Sequence, residues 1–226
     1  MASAVVAAGG AGERLRAGMP KALVPLAGRP MISWCLQALE AADRVLSVVI
    51  AAPSGHESEL EAIAAEVLGE TPCAVVTGGE TRSESVANAI ASIEGTHELL
   101  VHDAARPLAK SELFDRCLER LDHWGCDGVV AAARAVDTVK EADAGGRVIA
   151  TLERASLWVV QTPQAFQPGP LLKALGEGDL SRATDDAQLV EAVGGDIRVV
   201  EAPRHNLKVT NEQDLRIAEL LLADRA

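Results

Sequence analysis

The sequence predicts an α/β protein with a mostly parallel sheet and helices on both faces. Short apolar runs rich in valine and alanine alternate with amphipathic stretches along most of the chain. Strands separated in this way join into one sheet through right-handed crossovers. A glycine-rich turn of Gly9, Gly10 and Gly12 follows the first apolar run directly. The rhythm breaks between Arg134 and Trp158, where no amphipathic helix of useful length fits.

Each element has its own signal. AVVAA, Ala4 to Ala8, reads as a buried strand. PMISWCLQALEAA begins a helix with Pro30 in its first turn. VLSVVIAA from Val45 is the next strand, and ESELEAIAAEVL from Glu57 the next helix. CAVVT from Cys73 precedes a helix at SESVANAIASI from Ser83, and ELLVH leads a strand to Asp103. A helix from Lys110 and the strand GVVAAA from Gly128 follow. Beyond Arg134, two strands flank DAGG, a hairpin turn signal. An isolated ribbon is marginally stable, so it is expected to pack on something, another subunit being a candidate. The βα rhythm then resumes and ends with IRVVEA from Ile197 and a helix over Asn211 to Leu222. Thr210 and Asn211 are its cap candidates, with Gln213 as the capping-box partner of Thr210. Trp158 and QTPQAF read as packing and strand termination. No repeat or clear linker divides the 226 residues, so residues 1–226 form one expected domain with an arm at about 134–158.

Composition narrows the function. The chain is 48% hydrophobic but only 2% aromatic, with no tyrosine. The core must come from aliphatic residues, and the scarcity of aromatics argues against a stacking platform for single-stranded nucleic acid. A formal net charge of −12 argues against a nucleic-acid coat or an anionic membrane surface as partner. Cys35, Cys73, Cys117 and Cys126 form no C-x-x-C pair and read as small buried hydrophobes. No basic leader segment and no bilayer-length apolar run is present, so a cytoplasmic setting is expected.

On this acidic body, Arg14, Arg16 and Lys21 cluster directly after the glycine turn. The dinucleotide fingerprint fails because Leu15 stands where its last glycine belongs, and Walker A fails because Lys21 follows Pro20. A glycine loop, an arginine and a proline-fixed lysine can still hold a triphosphate, amides and cations sharing its oxygens. A surface turn with solvated basic residues is the alternative.

Further segments occur in order: AAGGAGERL…PKAL, GGETRSESV, VHDAARP, TLERASLWVVQTPQAF, TDDAQLVE and NLKVTNEQDL. Together, from about Val5 to Leu222, they resemble the 2-C-methyl-D-erythritol 4-phosphate cytidylyltransferase family. The resemblance implies a Rossmann-like nucleotidyltransferase fold whose projecting β-hairpin arm joins two subunits as a homodimer. It implies transfer of CMP from CTP to methylerythritol phosphate, with Mg²⁺, in non-mevalonate isoprenoid biosynthesis. Family loops commonly read A-A-G-x-G-x-R; here one extra residue precedes Arg14. A ribitol 5-phosphate cytidylyltransferase and a noncatalytic nucleotide-binding protein stand as alternatives.

The resemblance also implies roles. Arg14 and Lys21 stabilise the pentacoordinate α-phosphorus and the leaving pyrophosphate, while Arg154 and Lys208 hold and aim the acceptor phosphate. The nucleotide site comprises Ala7, Ala8, Gly9, Gly10, Gly12, Gly78, Gly79, Glu80, Ser85 and Asp103. The acceptor site adds Arg106, Thr138, Thr184 and Asp185 to Asp103, Arg154 and Lys208. Asp103 is also the candidate Mg²⁺ ligand. Plain structural readings stand beside these: Ser85 in a helix first turn, Asp103 paired with Arg106, Asp185 as an N-cap. Asp186 reads as first-turn charge, and His102 as a structural strand residue.

Overall fold

Apolar side chains buried on both faces make the first strand, β1 (Ala2–Ala7). Ala4 and Val6 enter one packed layer and Val5 the other, as the two-residue strand period requires. The computed structural model describes residues 1–10, 15, 18–95 and 97–224. A short hairpin, β2 (Pro25–Leu26) with β3 (Arg29–Pro30), leads into α1 (Met31–Glu40). Next come β4 (Val45–Ala52), α2 (Glu57–Val67), β5 (Cys73–Thr77), α3 (Arg82–Ala91) and β6 (Glu98–Asp103). They are followed by α4 (Ser111–Trp124), β7 (Gly128–Arg134), β8 (Lys140–Ala142), β9 (Val148–Thr151) and β10 (Trp158–Phe166). The chain ends with α5 (Pro168–Glu177), α6 (Asp186–Ala192), β11 (Ile197–Glu201) and α7 (Glu212–Ala223).

Among the described residues, seven strands form one sheet in the order β11-β7-β10-β6-β1-β4-β5. Ile32, Leu36, Leu60 and Leu118 from α1, α2 and α4 cover one face. Val86, Leu171 and Leu189 from α3, α5 and α6 cover the other. The α/β expectation is met, with one interruption: β10 runs antiparallel to both β6 and β7. Trp158 and QTPQAF are therefore a central strand, not a terminator. Its apolar pattern is broken by Gln161, Thr162 and Gln164, which are buried and hydrogen-bonded. A strand that carries polar side chains inward lacks the usual apolar signature.

Smaller corrections follow from local geometry. Asn211 caps α7 and its box partner is Asp214 rather than Gln213. The third helical position is counted from Asn211, and Asp214 also accepts from the Thr210 amide (2.8 Å). Cys35, Cys117 and Cys126 are buried as expected, but Cys73 is exposed because β5 is the sheet edge. No helix among the described residues is long and apolar enough to cross a membrane. The ribbon lies where the sequence puts it: β8 and β9 pair antiparallel. Asp143 accepts from the Gly145 and Arg147 amides (2.9 Å each), and Gly146 takes φ +82°, a conformation glycine adopts without Cβ strain.

Candidate active site

The strand order reverses at β1. From β1 the chain crosses to β4 and β5 on one side, then returns to β6 on the other, so the loops after β1 and β6 diverge. Such switch points form ligand crevices at carboxyl ends of strands. Register puts Ala7 opposite Asp103 on β6 and Ala51 on β4. A cavity of about 340 Å³ opens there. Ala7, Ala8, Gly9 and Gly10 line it from β1; Gly79, Glu80 and Ser85 line it from the α3 side. Lys21, Asp103 and Lys208 complete it. Gly78 lines an adjoining cavity of about 670 Å³ shared with Gly9, Gly79 and Glu80. Gly12 and Arg14 lie outside the described residues.

Backbone proximity explains the glycines. A Cβ on Gly78 would stand 2.8 Å from Ser85 Oγ and 3.0 Å from the Ala52 carbonyl oxygen. On Gly79 it would stand 2.3 Å from Glu84 Cβ. Ser85 Oγ donates to the Thr81 carbonyl (2.9 Å) and accepts from the Gly79 amide (3.0 Å). The hydroxyl thus serves the first turn of α3 and also ties the Gly78–Gly79 loop to it. Thr81 caps α3 in a box with Glu84. Gly79→Ala drives a methyl into that box, so we expect a stability loss of about 1–3 kcal/mol and at least ~10-fold weaker binding of the CTP that the sequence resemblance implies. Thermal unfolding and calorimetric titration check it; unchanged values for both would show that the loop yields without cost. Across the cavity, the Lys21 amide donates to the Gly10 carbonyl (3.2 Å) and clips the lysine segment onto the glycine loop.

The floor is a charge network that sequence reading largely missed. Arg82 Nε donates to Asp103 Oδ1 and Arg82 Nη1 to Asp186 Oδ2, both at 2.8 Å. Lys208 Nζ reaches Asp103 Oδ2 at 2.7 Å. Burial alone would raise the Asp103 carboxyl, but Arg82 and then Lys208 outweigh it and hold it below the ordinary carboxylate range. Asp186 is fully buried, and burial raises its carboxyl despite Arg82. It lies in the first turn of α6, as the sequence suggests, and is there an interior anchor for Arg82. Asp103 does not pair with Arg106, whose Nη1 donates instead to the Asn206 carbonyl (2.9 Å). Buried Asn206 donates to Gln161 Oε1 and the Thr162 carbonyl (2.9 Å each), fastening the Lys208 segment to β10. One signal pointed to Arg82: a cation at the first position of a helix opposes the helix dipole, so it calls for acidic partners.

A second cavity of about 220 Å³ adjoins the first, and Arg82, Asp103 and Lys208 line both. Arg106, Thr184 and Asp185 line the second. Asp185 is the N-cap of α6, accepting from the Gln188 amide (2.9 Å), and its other oxygen accepts from Gln164 Nε2 (2.9 Å). Thr184 donates to Gln188 Oε1 through its amide (2.8 Å) and hydroxyl (3.0 Å). Thr138 and Arg154 line neither cavity. Both are exposed in the arm region, and Arg154 Nη1 donates to the Val136 carbonyl.

His102 is fully buried beneath this floor. Its Nε2 meets the Arg106 carbonyl (3.2 Å), so this nitrogen carries the proton and Nδ1 accepts from Thr162 Oγ1 (3.0 Å). Burial pushes the imidazole down to about 4. The unfolded chain protonates near the ordinary value, about 6.5. Between these values the unfolded state binds a proton that the folded state refuses, so stability falls as pH drops through that window. We expect His102 to account for a loss of about 2 kcal/mol by pH 5. Urea unfolding of wild type and His102→Asn at pH 7 and 5 isolates it: the pH-dependent loss should shrink in the variant.

The switch-point cavity and its glycine loop, set in a mostly parallel sheet, define a Rossmann-like α/β protein with a crevice suited to a nucleotide. The family model described as 2-C-methyl-D-erythritol 4-phosphate cytidylyltransferase matches residues 2–224. A protein of that name from Synechococcus sp. is 40% identical over 98% of this chain and 96% of its own length. Its counterpart from Nostoc punctiforme is 36% identical over 98% of each chain. Among solved structures, the Thermus thermophilus protein of that name is 30% identical with a TM-score of 0.77, covering 98% of both chains. The 4-diphosphocytidyl-2C-methyl-D-erythritol synthase of Anaerococcus prevotii gives 0.85 at 25% identity, covering 99% and 98%. The chain belongs to the 2-C-methyl-D-erythritol 4-phosphate cytidylyltransferase family.

Proposed function

We propose that this chain transfers CMP from CTP to 2-C-methyl-D-erythritol 4-phosphate, releasing pyrophosphate and forming 4-diphosphocytidyl-2-C-methyl-D-erythritol. One observation carries the mechanism: a glycine-lined cavity and a cation-lined cavity meet at Asp103 and Lys208. The triphosphate lies against the Gly9–Gly10 amides with Lys21, and with Arg14, at its charge. Small residues around Gly78 and Ser85 receive the cytosine, and close backbone approach at the loop reads its amine and carbonyl. The acceptor phosphate, already nucleophilic at neutral pH, attacks the α-phosphorus directly from the Lys208 side with no covalent enzyme intermediate. Lys21 and Arg14 stabilise the charge on the α-phosphoryl oxygens and the departing pyrophosphate.

Among the described residues no three histidine, cysteine or acidic side chains cluster as a metal cage. The site instead offers dispersed carboxylates, Asp103 at the junction of the cavities with Glu80 in the first and Asp185 in the second, beside cations. That donor set fits a Mg²⁺ carried by the triphosphate, since this ion commonly binds substrate phosphates with one or two carboxylates. Asp103 is the residue on which such an ion would rest, and when bound it supplies positive charge to the triphosphate. We also propose a homodimer joined through the arm. Val136, Val139, Val148, Ile149 and Leu152 are exposed along it, an apolar face that a second subunit would cover. A cytoplasmic setting accompanies this reading.

The test is incubation with CTP, Mg²⁺ and either methylerythritol phosphate or ribitol 5-phosphate, with the CDP-polyol identified by mass spectrometry. Methylerythritol phosphate is expected to give the higher kcat/KM, CTP to be used well above ATP or GTP, and EDTA to abolish turnover. A preference for ribitol 5-phosphate in competition would reverse the acceptor assignment. Equal pyrophosphate release from ATP would remove the cytidine assignment.

A further inference from the structure

We propose that Arg82 is a positioning residue for the acceptor: seated on buried Asp186, it fixes Asp103, which holds the Lys208 ammonium where the two cavities meet. The inference rests on the reading that Lys208 faces the acceptor phosphate. The chain of contacts runs Asp186–Arg82–Asp103–Lys208, with distances of 2.8, 2.8 and 2.7 Å. Its members come from the first turns of α6 and α3, the end of β6 and the segment before α7. Residues remote in sequence are thus tied into one line crossing from the nucleotide side to the acceptor side.

Stability alone accounts poorly for such a line. Taking charges out of water costs as much as their attraction returns, and well-packed apolar replacements are often as stable. A geometric task accounts for it better. The guanidinium spends Nε on one carboxylate and Nη1 on another, a fork that a lysine ammonium on a flexible stem does not reproduce. Arg82 Nη2 is buried with no hydrogen-bond partner among the described residues, so Arg82 is not a saturated structural bridge. Arg82 itself lines both cavities.

The groups facing the Asp103 carboxyl are Arg82 from α3, Lys208, Arg106 from the loop after β6, His102, Asp186 from α6 and the Cys35 thiol from α1. Arg82 and Lys208 each hold one oxygen of Asp103. Without the guanidinium the carboxylate loses its tie to α3 and Asp186, and the Lys208 ammonium loses a fixed seat. A change confined to packing would lower stability without acting selectively on the acceptor side.

The experiment is a double-mutant cycle of Arg82→Gln and Lys208→Gln, read as kcat/KM for methylerythritol phosphate at saturating CTP, with KM for each substrate resolved. Arg82→Gln alone is expected to lower kcat/KM on the order of 10²-fold, with the KM for the acceptor raised more than the KM for CTP. In the Lys208→Gln background the same change should cost less than about 3-fold more, because residues acting through one another are not additive. Full additivity, or a KM for CTP raised as much as the KM for the acceptor, overturns the proposal. If Arg82→Gln does not fold, Arg82→Gln/Asp186→Asn, which removes the buried charge Arg82 neutralised, takes its place in the same cycle. Failure of wild type with every polyol phosphate would instead defeat the proposed function. Amine labelling of Lys208 read by mass spectrometry then decides the inference without substrate: faster labelling in the arginine variant supports it, and an unchanged rate overturns it.

Discussion

A Lys21→Ala protein is expected to fold, to bind CTP, and to turn it over on the order of 10²-fold or more slowly, as loss of a preorganised electrostatic stabiliser does. The fold should survive because Ala22 and Leu23, not Lys21, are the buried residues of that turn. Pro20 and the Lys21–Gly10 backbone bond set the lysine at the cavity wall, and neither needs the ammonium. Charge at the α-phosphorus grows as the anhydride bond breaks, so losing the ammonium should act on kcat more than on CTP affinity. Lys21→Arg should fail as well, since a planar guanidinium does not replace a compact ammonium at close quarters. Saturation kinetics with CTP, paired with thermal unfolding, read both effects. A folded Lys21→Ala protein with near-normal kcat would reduce the basic cluster to a binding feature.

Mixing subunits should restore activity to two inactive proteins. Arg154 lies beyond the ribbon, is exposed, and lines neither cavity of its own chain. In the proposed dimer it serves the partner's Lys21 loop. Lys21→Ala and Arg154→Ala homodimers should each be nearly inactive. Dissociated together and reassembled, a mixed dimer holds one site with both substitutions and one with neither. Random pairing makes about half the dimers mixed, so roughly a quarter of wild-type activity should return. Were Arg154 to act within its own subunit, every site in a mixed dimer would lack one of the two groups. Mixed dimers shown by mass to have formed, yet inactive, would exclude a shared site.

The strands that were legible in the sequence are those whose neighbours are uniformly apolar. β4 and β5 carry the residue ranges their sequence patterns predict: the inner part of β4 is a continuous aliphatic run buried on both faces, and the exposed edge strand β5 is bounded by Pro72 and Gly78. The ribbon was legible from DAGG, because its turn depends on local chemistry. The starts of α1, α2, α3, α4 and α7 were legible to within a residue, since proline, capping and periodicity signals are local too; that of α5 was not placed. β10 was not: it is central, yet Gln161, Thr162 and Gln164 face inward, and their partners lie on β6, α6 and the segment before α7.

The candidate site divides in the same way. By itself the sequence determined the glycine loop, the lysine fixed behind Pro20, and a strand ending at Asp103, because each is a local pattern of backbone freedom and charge. It also carried enough ordered segments to indicate the family. The tertiary structure alone decided the partners of Asp103. Arg82, Asp186 and Lys208 are 21, 83 and 105 positions from it (103 − 82, 186 − 103, 208 − 103), and no local pattern encodes their meeting. Sheet order brings the ends of β1 and β6 together, α3 and α6 pack on one face, and the Asn206 anchor carries Lys208 onto the floor. Which charges pair is settled by which of them burial forces together, and burial is a property of the packed chain.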